Sequence, residues 1–295
     1  MEWYIFALLA PAFWALNNVF IKFLITNKFK SHFPMIFAVI SMDAIFAFAV
    51  LVFAPVIFVF PYSVFAFAVG LMPLLAFWFY ARALMKEEVS RIATLFQLIP
   101  VFVALLSIVF LGEVLGMVQY FGIIVIVFAS ILISYGRSSG KPFSGVLKLM
   151  LPFGLIIAVY TISDKTLLGY MDFWSVFFWN VLGTFCGALS LLILPRLRSE
   201  ILGAILTVGK RALLTTFIGE GLYVIGTICS LVALSLVEAP LASSLFGLQP
   251  FYVFFYTLAL SLFLPRVLKE EIGKSTLLLK ISAIVLMFIG TWLVI

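Results

Sequence analysis

The sequence predicts an all-α integral membrane protein of about ten transmembrane helices, arranged as two inverted five-helix repeats. Three observations predict it. Hydrophobic residues make up 65% of the chain and charged residues 10%, with a mean hydropathy of +1.30. An ordinary soluble domain is about 45–50% apolar and about 25% charged, so a soluble fold could not cover this much apolar surface. The apolar runs are continuous rather than alternating, which selects helices over the strands of a membrane barrel. Finally, Ala83–Val103 (ALMKEEVSRIATLFQLIPVFV) matches Ala233–Val253 (ALSLVEAPLASSLFGLQPFYV) at a fixed offset of 150, at Ala83, Leu84, Glu88, Leu95, Phe96, Leu98, Pro100 and Val103. Leu and Phe coincide by chance in apolar sequence. A shared Glu and a Pro twelve residues after it mark an internal repeat.

Taken in order, spans of about 20 residues fall near Trp3–Ile25, Phe33–Ile57, Tyr62–Leu84, Val89–Leu111 and Leu115–Tyr135, then Val146–Leu168, Phe173–Leu194, Arg211–Leu236, Pro240–Phe263 and Ser275–Ile295. Pro55 and Pro61 bracket the turn between the second and third. The third and fourth spans, and the eighth and ninth, are joined by loops so short that they must be antiparallel neighbours. Two polar linkers stand out, one at 137–145 and one at Pro195–Lys210. The first divides the chain into a five-span repeat at 1–136 and a second at 146–295. Because five is odd, the second repeat enters the membrane from the opposite side.

The charges fit this layout. Fifteen of the 18 basic residues lie in or beside the odd-numbered loops, and the even loops have none. Lys22, Lys165 and Lys280 lie near span ends, where snorkelling to the interface accounts for them. Glu88 recurs as Glu238 without the basic residues that surround it, as inverted halves under the positive-inside rule require. Read alone, the rule places the odd loops in the cytoplasm and both termini outside. A pI near 9.3 therefore reflects orientation in an anionic cell membrane, as a multi-pass protein, and not a nucleic-acid partner. The first apolar run has the length of a full span and lacks a small-residue cleavage site, so no cleavable signal peptide is expected. His32 is the single histidine, and Cys186 and Cys229 both lie in apolar runs. No disulfide framework, metal or cofactor is expected. Nothing separates a monomer from a homodimer.

The first span carries Phe13-Trp14-Ala15-Leu16-Asn17-Asn18 and then Lys22; the sixth echoes it with Ala158, Tyr160 and Lys165. The fourth holds Pro100 and ends at Leu111-Gly112-Glu113, and the ninth holds Pro250. With the repeat and the five-plus-five count, these motifs resemble the EamA-type branch of the drug/metabolite transporter superfamily over nearly the whole chain. Three departures stand out. Ala15 replaces the family's usual Gly, the acidic pair Glu270–Glu271 follows an insertion at Pro265–Arg266, and the second span lacks the Arg of many members. The resemblance implies a ten-helix carrier with a central cavity formed by both halves and working by alternating access. It also implies cytoplasmic termini, against the charge rule. Family membership does not fix the substrate.

Deep polar residues are the candidates for substrate binding. Glu220 lies in Gly219-Glu220-Gly221, about nine residues into the eighth span, and Asp43 about ten residues into the second. Carboxyls at that depth are costly unless they face a wet cavity or a partner. Both spans begin at basic loops, so the two acids enter from the same side. Asn17, Asn18, Gln97, Asn180 and Gln249 are neutral amides that either bind substrate or join helices. Gln97 and Gln249 lie close to the repeated prolines, where backbone carbonyls lose their usual partners. Trp14, Trp78, Tyr80, Tyr160, Tyr223 and Tyr252 add polar-tipped aromatic faces; Asp164–Lys165 reads as an interfacial pair, and Gly183 with Gly187 as a helix-packing GxxxG. Acids among aromatics suit a zwitterion or a cation. The expected function is a secondary transporter of a small organic metabolite: an amino acid or related amphipathic compound moved outward, or alternatively an organic cation or drug. A membrane-embedded enzyme would need a cluster of reactive side chains at one face, and buried acids argue against a non-transporting scaffold.

Overall fold

A computed structural model of the chain describes residues 2–29, 31–86, 92, 95–135, 144–263 and 274–295. The described elements are helical: α1 (Trp3–Asn27), α2 (His32–Phe53), α3 (Tyr62–Val69), α4 (Leu71–Leu84), α5 (Leu98–Phe110), α6 (Met117–Tyr135), α7 (Ser144–Leu167), α8 (Phe173–Ser190), α9 (Pro195–Thr207), α10 (Lys210–Leu236), α11 (Ala239–Phe246), α12 (Gln249–Phe263) and α13 (Lys274–Val294). A single 3₁₀ turn, Leu191–Ile193, follows α8. Six segments are long and apolar enough on their own to cross a membrane: Trp3–Asn27, His32–Phe53, Tyr62–Leu84, Gly145–Leu167, Phe173–Ile193 and Lys210–Leu236. Large apolar side chains point outward along them. Phe53 is 84% exposed, as suits a lipid-facing surface where water would not tolerate it.

The remaining helices are interrupted, and each interruption has a local cause. In α5 and α12 the repeated Pro100 and Pro250 occupy the first turn. A missing N–H costs little there because first-turn N–H groups have no partner within the helix. Each chain therefore breaks just before its proline, at Phe96–Gln97 and at Gly247–Leu248, and the breaks are closed by three-residue bonds such as Ile99 N–H to Phe96 O at 2.9 Å and Leu248 N–H to Leu245 O at 3.0 Å. The sequence placed each proline inside one long span; the structure places it at the restart of a second helix. A third break, at Gly70, is shaped by a neighbour. A Cβ at Gly70 would lie 2.1 Å from the Asn180 carbonyl oxygen, and one at Gly183 would lie 2.0 Å from that of Phe67. Backbone meets backbone here, so α8 packs on the α3–α4 junction only through glycine.

The second polar linker is not a loop. Pro195–Thr207 forms α9, with Pro195 at its first position and Ile201 buried toward the protein. The charges in PRLRSE disguise a helix start that Pro at N1 favours. Glu88, Glu270, Glu271, Pro265, Arg266 and most of linker 137–145 lie outside the described residues.

The helices pair in a reciprocal pattern. α1 packs on α10, and α4 on α7; α1 packs on α12, and α5 on α7. α2 lies against α8, α6 against α13, and α5 against α11. Two apolar clusters flank the middle. One forms around Leu24, Ile36, Leu84 and Met150, the other around Ile126, Ala158, Leu245 and Met287. The polar residues between them come from α1, α2, α4, α7 and α10.

Candidate functional site

A cavity with about 220 Å³ of space lies between these clusters. Its walls include Trp14, Asn17 and Asn18 from α1, Asp43 from α2, Tyr80 from α4, Tyr160 and Asp164 from α7, Glu220 and Tyr223 from α10, and Gln249 at the start of α12. Several of these are held by their neighbours. Tyr80 donates from Oη to Asn18 Oδ1 at 2.9 Å. Its ring stacks with Phe153, and both rings lie against Phe96, at centroid distances of 5.4–5.7 Å. Trp14 donates from Nε1 to Thr227 Oγ1 at 3.3 Å and meets Phe246 edge-on at 5.4 Å. The result is an aromatic wall with fixed polar tips.

Glycine brings the acids into place. A Cβ at Gly219 would lie 2.9 Å from Asn17 Oδ1, and one at Gly226 would lie 2.8 Å from Trp14 Cδ1. α1 and α10 can therefore approach closely, and Glu220 is carried up to Asn17 and to Asp43 on α2. Asp43, Glu220 and Asn17 all line the cavity, where α10 packs on both α1 and α2. Asp43 is 8% exposed, Glu220 1% and Asn17 2%. Asn17 Oδ1, Asp43 Oδ1, Glu220 Oε1 and Ser243 Oγ have no hydrogen-bond partner among the described residues, and neither does Asn18 Nδ2. Buried polar atoms in native proteins are normally paired, so this set points toward a ligand.

Asp164 is the charged wall residue absent from the sequence candidates; Thr161, Thr184, Thr227, Ser230 and Ser243 also line the wall. Asp164 was grouped with Lys165, but neighbours on a helix point about 100° apart. Asp164 turns inward and accepts from Asn180 Nδ2 at 2.7 Å. Lys165 turns to the helix ends, where its Nζ donates to Leu234 O at 2.8 Å and Val237 O at 2.6 Å and lies 4.0 Å from Glu113. Glu113 in turn accepts from Ala239 N–H at 2.9 Å and caps α11. It reaches there because Gly112 takes a left-handed φ of +67°. Lys22 makes the matching bond in the other half, from Nζ to Leu84 O at 2.8 Å. Both lysines cap carbonyls, where the sequence suggested snorkelling alone.

Four candidates do not line the cavity. Trp78 sits two residues from Tyr80, on the opposite side of α4, with the Arg82 guanidinium 4.6 Å over its ring. Tyr252 packs beside Phe251 and Tyr256. Asn180 stands behind the wall and orients it, donating to Tyr160 Oη at 3.1 Å as well as to Asp164. Gln97 donates from Nε2 to the carbonyl of Gly247. These two positions are separated by 150 residues, the offset of the sequence repeat, so equivalent points of the two helix breaks touch.

Residues 1–135 match the model of the EamA-like transporter family. That match supports membership of the drug/metabolite transporter superfamily. A solved crystal structure aligns with 98% of this chain and 94% of its own at 16% identity, with a TM-score of 0.69; that likeness shows a shared fold. No curated protein matches the chain. The EamA-like family is one of membrane transporters of small molecules. No group of three or more metal-ligating side chains occurs among the described residues.

Proposed function

We propose that this EamA-type protein is a secondary transporter that moves a small amphipathic amine across the membrane by alternating access, and that it has no catalytic activity. One observation carries the choice of cargo. The cavity wall contains three carboxyl side chains, Asp43, Asp164 and Glu220, and no Lys, Arg or His among the described residues. A cationic cargo supplies the missing charge, and the aromatic wall favours it further through cation–π contact. Of the unpaired wall atoms, the amide oxygen of Asn17 can only accept, and so can an ionised oxygen of Asp43 or Glu220. An N–H donor, a protonated amine rather than a quaternary ammonium, meets these acceptors, and Asn18 Nδ2 is left to donate to an acceptor on the cargo. Between the two cargo classes suggested by the sequence, this favours the organic cation; the carboxylate of an amino acid would find no basic partner in the wall.

Alternating access rests on the reciprocal helix pairing. Exchanging the halves exchanges α1–α10 with α7–α4 and α1–α12 with α7–α5, and leaves α2–α8 and α6–α13 in place. That pattern, with the Lys22/Leu84 and Lys165/Leu234 bonds and the contact of Gln97 with Gly247, supports ten passes in two inverted halves, 1–136 and 146–295, about an axis near the helix breaks. The charge rule favours outward movement, because both Asp43 and Glu220 lie on spans that start at basic loops.

Ligand binding to the folded state raises its apparent stability. A thermal-shift screen of the purified protein against primary amines, their quaternary analogues and the matching carboxylic acids tests the reading. Stabilisation by amines alone is the expected result. Stabilisation by the acids, or equally by the quaternary analogues, would overturn it.

A further inference from the structure

We infer that the cavity holds two ammonium subsites, one at Asp43–Glu220 and one at Asp164, so that the cargo carries two protonated amines. The inference rests on the amine reading above and goes beyond it by counting the charges. Asp43 and Glu220 form one unit: α2 packs on α10 there, with Phe46, one turn from Asp43, stacked on Phe217, one turn from Glu220, at 4.7 Å, and two adjacent carboxyls do not both ionise readily. Asp164 is separate. Its partners are Asn180 and Tyr160, and neither Asp43 nor Glu220 is among them.

Tyr223 lines the same cavity as all three carboxyls. Each unit has an amide at its side, Asn17 at the first and Asn180 at the second. Asn17 leaves a wall-lining acceptor without a partner among the described residues, on a side chain only 2% exposed, whereas Asn180 stands behind the wall and orients Asp164. A carboxylate has about four acceptor sites, so the bonds Asp164 already makes leave room for an ammonium. A single cation could satisfy one unit and would leave the other buried without a counter-charge, a costly arrangement inside a membrane. Two amines joined by an apolar chain match both units and the aromatic side chains of the same wall.

The test is binding to the purified full-length protein by calorimetry, using α,ω-diaminoalkanes of increasing chain length, each paired with the monoamine of equal length. The expected result is a diamine at least about tenfold tighter than its monoamine, with one preferred length. In Asp164→Asn the ratio of diamine to monoamine affinity should fall toward one, and in Asp164→Glu the preferred length should change. The wild-type comparison needs no variant to fold. Monoamines that bind as tightly as every diamine, or a ratio that survives Asp164→Asn, would overturn the second subsite. If neither series binds, the amine reading itself falls.

Discussion

Depth in a span was the signal that found the acids, and it found them unevenly. Asp43 and Glu220 stood out because each interrupts a long apolar run, and they lie together in the cavity wall. Asp164 was hidden by the lysine beside it, since adjacency in sequence suggested a surface pair where the helix turns the two side chains in different directions. Trp78 and Tyr80 illustrate the converse: composition made both candidates, and only helical phase separates the one in the wall from the one over Arg82. Glu220 should matter most, because it is the most buried of the wall acids and shares the wall with both Asp43 and Asn17. Glu220→Gln keeps the shape and removes the charge. Amine affinity should fall on the order of 10- to 100-fold, equivalent to one charge-assisted hydrogen bond of about 1.5–3 kcal/mol. Isothermal titration of wild type and variant checks this, and equal affinities would remove Glu220 from the site.

Helix ends were legible where the sequence is continuous and apolar. Tyr62–Leu84 and Phe173 at the start of α8 fall where hydropathy put them. The breaks were not legible, because they depend on partners distant in sequence: Gly70 yields to the Asn180 carbonyl, and Gly247 receives the Gln97 amide. The charged first turn of α9 has the look of a linker in sequence, yet the helix packs on α2 and buries Ile201. The seam between α1 and α10 is the element contact on which the site depends most, and Gly226 sets its spacing. A Cβ at Gly226 would lie 2.8 Å from Trp14 Cδ1 and 3.0 Å from the Ala10 carbonyl, whereas one at Gly203 on α9 would meet nothing within 4 Å. Gly226→Leu should therefore cost about 1–3 kcal/mol through overpacking. Gly203→Ala should be neutral or stabilising by up to about 1 kcal/mol, since Ala favours the helix. Thermal melts of the two variants in detergent distinguish them, and a Gly226→Leu melt equal to wild type would contradict the seam.

At the scale of the molecule, two interlocked sets of helices place three acids and a ring of aromatics in the middle of a membrane protein. Each half supplies part of the wall, Asp43 from the first and Asp164 and Glu220 from the second. A shift of one half against the other would change which side of the membrane reaches them. If the acid-lined cavity carries amines across the bilayer, a labelled primary amine should enter liposomes containing the purified protein. Saturable flux is expected, competed by other amines, untouched by the matching carboxylates, and strongly reduced in Asp43→Asn. Flux no greater than in empty liposomes, or flux competed equally by the carboxylates, would contradict the amine reading.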